Sequence, residues 1–294
     1  MKYLTSLFIL MILLSCNRKE QEFDAMGHFE ADELTLMSET SGRIIKLTIR
    51  EGDKIHAGDT VAITDTVSPI LQIRQIEAQQ EAVRSKIPTI RSQERIIDKE
   101  ISVLQAEKER FAKLVNEQAA TSKSLDDINN QIELAKVRKS GFQPQINSLM
   151  QELEVLKAQE ALLSEQLNRC FVISKTPGTV LDLIANESEI TVPGKAILKL
   201  ADLDNMILKA YVSGDQLPTF TNGQSVNVRI DKPGKEYYSY PGQVFWVSGQ
   251  AEFTPKVIQT KTERVNLVYA IKVRVKNDGR IKIGMPGELL LNHE

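Results

Sequence analysis

Apolar and polar residues alternate with a period of two in residues 41–65, SGRIIKLTIREGDKIHAGDTVAITD, and again in 177–202, PGTVLDLIANESEITVPGKAILKLAD. Glycines mark both copies at the same spacing, Gly42 with Gly58 and Gly178 with Gly194. Such alternation around short turns predicts half-buried strands. Between the copies the period changes. Ile73, Ile76, Val83, Ile87, Ile90, Ile97, Ile101, Leu104, Phe111 and Val115 fall in steps of three and four, and Gln80, Glu94 and Lys108 occupy the same stripe. A second stripe runs from Leu125 through Ile128, Ile132, Ala135, Phe142, Ile146, Leu149, Leu153, Leu156, Leu163 and Leu167 to Cys170, with Lys139 and Glu160 as its polar members. A heptad kept this long predicts two helices that wind around each other in a left-handed sense.

The link between the stripes, VNEQAATSKSLDD, is short and polar. It makes the helices antiparallel neighbours. The spacing therefore predicts an α-helical hairpin over 70–170 with its tip near 116–122. At 1.5 Å per residue, arms of roughly 45 residues reach about 70 Å. Thr121 with Ser124, or Ser122 with Asp126, can start the second helix. Pro88, Gly141 and Pro144 interrupt the arms. The register runs through them unshifted, so they predict kinks or short breaks inside one hairpin. The stripes need no cofactor to explain them. A strand unit of about 25 residues cannot bury a core alone. The two copies, 41–69 and 171–202, are therefore expected to pack as halves of one β-sandwich with the hairpin inserted between them.

The N-terminus reads MKYLTSLFILMILLSCNRKE. The apolar run Leu7–Leu14 suits a signal peptide and is too short to span a bilayer. It ends in Leu13-Leu14-Ser15-Cys16, which resembles a bacterial lipobox. The expectation is a lipoprotein signal peptide over 1–15, lipidation of Cys16, a tether over 16–23, and attachment to a membrane through the lipid anchor. The other cysteine, Cys170, has no partner for an intramolecular disulfide framework. Basic and acidic residues balance, 37 against 39. No global charge then draws the chain to nucleic acid.

Catalytic and cofactor chemistry finds little purchase. His28, His56 and His293 have no second ligand at zinc spacing. The methionines are scattered, which argues against a methionine-rich copper site. There is no glycine-rich phosphate loop and no nucleophile elbow. No catalytic, metal or cofactor residue is expected, and no enzyme activity. Trp246, in VFWVSG, is expected in a core. Asp126 and Asp127 suit the first turn of a helix better than an acid–base pair.

The order of these features resembles the haemolysin-D-like membrane fusion proteins, also called periplasmic adaptors. The resemblance covers about residues 24–291. It rests on SGRIIKLTIREGDKIHAGDTVAI, KTPGTVLDLIANESEITVPGKAILKLADLD, ILKAYVSGDQLPTFTNGQSVNVRI and VYAIKVRVKNDGRIKIGMPGELLL, the last carrying Gly284-Met285-Pro286-Gly287. It implies an elongated α+β fold: a lipoyl-like domain split by the hairpin, followed by a β-barrel over 203–294 that strands of 24–40 complete. It also implies a conduit-forming scaffold with no reaction of its own. The scaffold would be periplasmic and anchored to the inner membrane, and would form a homo-oligomeric ring, expected to be a hexamer. It would join an inner-membrane transporter to a TolC-like outer-membrane channel. The end of the chain at Glu294, just past the barrel, looks more like adaptors of ABC transporters than of proton-driven exporters. At the tip, the Arg, Leu and hydroxyl residues of the resemblance fall on Arg110, Leu114 and Thr121, with Ser122 an alternative hydroxyl. The glycine usual in that turn is Gln118 here. Arg110 as a solvated helix residue is the plain alternative, and an envelope-spanning spacer lipoprotein is the alternative function. Biotin or lipoate carriage is disfavoured, because the hairpin replaces the turn that would present the modified lysine.

Overall fold

The structure is a computed structural model that describes residues 23–234, 236–253 and 267–291. Cys16, the expected signal peptide and all of the tether except Phe23 lie outside these residues.

Six strands close a barrel in the order β1 (Ala25–Glu30), β10 (Asn205–Ser213), β13 (Leu267–Lys276), β12 (Glu236–Phe253), β11 (Ser225–Lys232) and β14 (Pro286–Leu291). All the pairings are antiparallel. Alternation decides which face is buried: Phe29, Leu208, Val228, Val244, Val273 and Leu289 are fully enclosed and form one apolar cluster. Gly287 shows how tightly this core is packed. A Cβ there would lie 2.7 Å from the Phe29 ring, so only glycine lets β14 pass.

Eight shorter strands form two four-stranded sheets. One has the order β2 (Glu33–Met37), β9 (Ala196–Ala201), β7 (Gly178–Leu183), β4 (Lys54–Ile55). The other has the order β6 (Phe171–Ile173), β5 (Thr60–Thr64), β3 (Gly42–Leu47), β8 (Ile190–Thr191). Each sheet takes two strands from before the hairpin and two from after it. Ile44, Ile55 and Val61 from the first copy share one core with Val172, Val180, Ile197 and Leu200 from the second. The glycine spacing has a local cause. Gly58 and Gly194 occupy equivalent turns at φ +97° and +84°, a region that L side chains rarely adopt.

One expectation needs correction. The strands of 24–40 do not all complete the barrel. β1 does, but β2 pairs with β9 across Glu33↔Ala201 to Met37↔Ala196 and belongs to the sandwich. Asp32 and its neighbours carry the chain from one unit to the other, a switch that alternation alone does not mark.

The hairpin has two interrupted arms: α1 (Val67–Arg84) with α2 (Lys86–Asn116), and α3 (Ser122–Ser140) with α4 (Phe142–Asn168). Its base is tied to the sandwich, where the Thr64 N–H donates to the Cys170 carbonyl at 2.8 Å. Pro88 and Pro144 are each the third residue of their helix, where the missing N–H has no intrahelical carbonyl to meet. Cross-arm contacts show how the breaks are braced. Lys139 meets Asp98 at 2.6 Å and Arg138 meets Glu100 at 3.6 Å, which sets the break at Gly141 against the middle of α2. The Gln80 amide donates to Glu160 at 2.7 Å, which sets the break at Ser85 against the middle of α4. Each break therefore lies against an unbroken stretch of the opposite arm.

Candidate functional site: the hairpin tip

The tip is built by two helix ends. At the C-terminus of α2 the Gln118 N–H donates to the Val115 carbonyl at 3.0 Å, and the Ala119 N–H donates to the Leu114 carbonyl at 2.8 Å. These paired bonds make a Schellman motif, with Gln118 in the left-handed position at φ +57°. The residue that stands in for a glycine thus adopts the backbone conformation that a glycine would favour. Two residues later Thr121 opens α3. Its Oγ1 accepts the Ser124 N–H at 3.4 Å and lies 3.0 Å from the Ser124 hydroxyl. Of the two expected starts, the structure selects Thr121 with Ser124.

These bonds separate the four tip candidates. Arg110 and Leu114 are four residues apart and share one face of the last turns of α2. The Arg110 side chain is 68% exposed; its guanidinium reaches Glu107 at 3.3 Å and lies 5.7 Å from the Phe111 ring centroid. It points away from the seam and keeps most of its donors toward solvent. Leu114 is half-buried, and its carbonyl belongs to the Schellman motif. The Thr121 hydroxyl is committed to capping. Ser122 is exposed in the first turn of α3. Glu107, which orients Arg110, was not among the expected tip residues. Its three-residue spacing from an arginine on a helix was the available signal.

Elsewhere the structure corrects one expectation. Trp246 is not in the barrel core: it is 39% exposed. The β12–β13 register shifts between Val244 and Trp246, so Val244 faces inward and Trp246 outward. Two adjacent aromatics, Phe245 and Trp246, were the sequence sign that a simple alternation fails here. Among the described residues, no group of three His, Cys, Asp or Glu side chains could hold a metal ion. Likewise, no described helix is long and apolar enough to cross a membrane.

Known proteins can now be set beside this geometry. No family model matches the chain. A UPF0194 membrane protein of Yersinia pseudotuberculosis is 24% identical over 286 residues, covering 88% of this chain and 86% of the relative. MacA from Actinobacillus actinomycetemcomitans superposes with a TM-score of 0.53 at 20% identity, over 90% of this chain and 76% of that one. The membrane fusion protein Spr0693 from Streptococcus pneumoniae R6 superposes with a TM-score of 0.50 at 17% identity, over 92% of this chain and 98% of that one. The fold is that of the membrane fusion proteins. The tip lies at the end of the hairpin arms opposite their base, where Thr64 bonds to Cys170.

Proposed function

We propose that the protein is a lipid-anchored periplasmic adaptor. It would link an inner-membrane transporter, ABC-type in preference to a proton-driven exporter, to a TolC-like outer-membrane channel for efflux or secretion. In this reading the paired sheets are a lipoyl-like domain whose connecting turn the hairpin replaces. Residues 1–15 are a signal peptide, Cys16 carries lipid, and copies of the chain form a ring. Heterologous contacts that close by rotation generate such rings. The observation that carries the proposal is the tip. A closed, capped turn presents Arg110 and Ser122 to solvent at the end of the long hairpin, where neither is needed by the seam. Arg110 can donate to carboxylates or to helix C-terminal carbonyls of a channel. Leu114 supplies apolar contact beside it.

A photocrosslinker at Ser122 in living cells is expected to capture an outer-membrane protein. Arg110→Ala is expected to abolish that adduct while shifting unfolding by about 1 kcal/mol or less, as surface substitutions do. An unchanged adduct would remove recognition from the tip and favour a passive envelope spacer. Anchoring is tested separately: Cys16→Ser is expected to block lipid labelling and release the protein from the membrane fraction.

A further inference from the structure

The outer face of the barrel carries a second set of outward-facing side chains that the hairpin tip does not use. Leu208, Ala210, Ile271 and Val273 face the core, so alternation turns Lys209 on β10 and Lys272 on β13 outward, as direct cross-strand partners. Trp246 pairs with Lys272 across the register shift of β12. Three aromatic rings on this face each have a cation over them. Lys209 Nζ lies 5.3 Å from the Tyr211 centroid, Lys272 Nζ lies 5.9 Å from Trp246, and the Arg274 guanidinium lies 4.8 Å from Phe245. Between them is a shallow depression of about 390 Å³ lined by Lys209, Phe245, Trp246 and Lys272. Glu252 and Glu30 approach the two lysines at 3.2 and 3.8 Å, which leaves three cations against two carboxylates.

We propose that this face rests on an anionic lipid surface, with Trp246 at headgroup depth and Lys209, Lys272 and Arg274 on lipid phosphates. Tryptophan and tyrosine favour the membrane interface because one end of each ring system is apolar and the other wet. Lysine and arginine stems lie along apolar surface while their heads reach charged groups, and basic side chains are attracted to anionic leaflets. Chain length gives the second argument. The apolar run Leu7–Leu14 ends just before Cys16, and Phe23 already borders β1. The seven residues 16–22 span at most about 25 Å. β1 begins beside the end of β10, with Met26 opposite Tyr211. From there to β12 is three strand spacings, about 15 Å. With lipid on Cys16, as proposed above, the barrel would be held at the membrane by its Met26–Tyr211 end. At that end Phe23 and Met26 are also exposed, 43% and 48%. The proposal needs only that attachment and does not rest on the adaptor reading.

Trp246 is the only tryptophan of the chain, so its emission reports this face alone. The full-length protein is reconstituted into vesicles of phosphatidylcholine, with or without phosphatidylglycerol. The proposed lipid on Cys16 would keep it attached to both. In the anionic vesicles Trp246 is expected to show blue-shifted emission, strong quenching by brominated lipid and protection from acrylamide. All three should weaken in neutral vesicles, and in anionic ones for Lys272→Gln combined with Arg274→Gln, with folding checked by circular dichroism. The lipid comparison needs no variant. The proposal is overturned if brominated lipid fails to quench Trp246, or if quenching is equal in neutral and anionic vesicles. It is also overturned if protection appears only after an inner-membrane protein extract is co-reconstituted, which would make the face a protein-docking surface.

Discussion

Gln118 is where a single residue works against the backbone it occupies. A non-glycine residue in the left-handed region costs roughly 1–2 kcal/mol, and glycine avoids that cost while giving back part of it as chain entropy. Gln118→Gly is therefore expected to raise hairpin stability by up to about 1 kcal/mol, measured as a shift in the denaturant midpoint. Thr121→Ala removes the α3 cap and is expected to lower stability by about 1 kcal/mol, with Thr121→Ser retaining most of it. Ser122→Ala should leave the midpoint in place. If Thr121→Ala were silent and Ser122→Ala destabilising, the capping assignment would be reversed. At this scale sequence reading reached Thr121, because a hydroxyl three residues before a helical donor is a local signal. It left Thr121 and Ser122 as alternatives, since choosing between them requires the direction of the incoming chain.

At the scale of the element, the hairpin seam contains a polar pair that its register brings together. Gln80 is 7% exposed and donates to Glu160, and both occupy positions that the heptad otherwise fills with apolar residues. Heptad arithmetic finds each residue but not their partnership, which depends on how far one arm slides along the other. Gln80→Ala leaves a half-buried carboxylate short of a donor and is expected to cost about 1–2 kcal/mol. Replacing both with leucine is expected to be neutral or stabilising, because no unpaired polar group remains. Double-mutant unfolding curves distinguish these outcomes. A double variant that costs the sum of the two single ones would show that the pair does not act as a unit. Leu153→Ala, deep in the same seam, is expected to cost roughly 2 kcal/mol or more by leaving a cavity. The prolines fit the same logic. Their position in first turns, opposite intact helix, explains why the register passes through them unshifted.

For the whole molecule, the central question is how two distant stretches make one core. β2 extends that core beyond the repeat itself, so the sandwich needs residues from about 33 onward. Residues Thr66 and Arg169 flank the base where Thr64 bonds to Cys170, and a short glycine-rich link can join them in place of the whole hairpin. That variant is expected to keep a cooperative thermal transition and its strand content while losing any crosslink through the tip. Removing residues 171–202 instead should abolish the transition of the sandwich, since the strands left behind cannot enclose Ile44 and Val61. A sandwich that still melts cooperatively without 171–202 would show that the first copy has a core of its own.

Periodicity by itself determined the long hairpin, the two strand copies and the place of the tip; the barrel was an implication of the family resemblance. Each of the first three depends on the geometry of a single chain segment, a period of two or of three and a half, that hydrophobic spacing records directly. Tertiary structure decided the rest. β2 joined the sandwich and left the barrel because edge pairing with β9 depends on which strand lies alongside, and a strand's own alternation looks the same in either place. Trp246 turned outward because one register shift against β13 reverses the face that follows it. Gln80 found Glu160 because register across a coiled coil is set by the sum of all its contacts. Identity and spacing specify what a segment can become; which partner it meets is a property of the assembled chain.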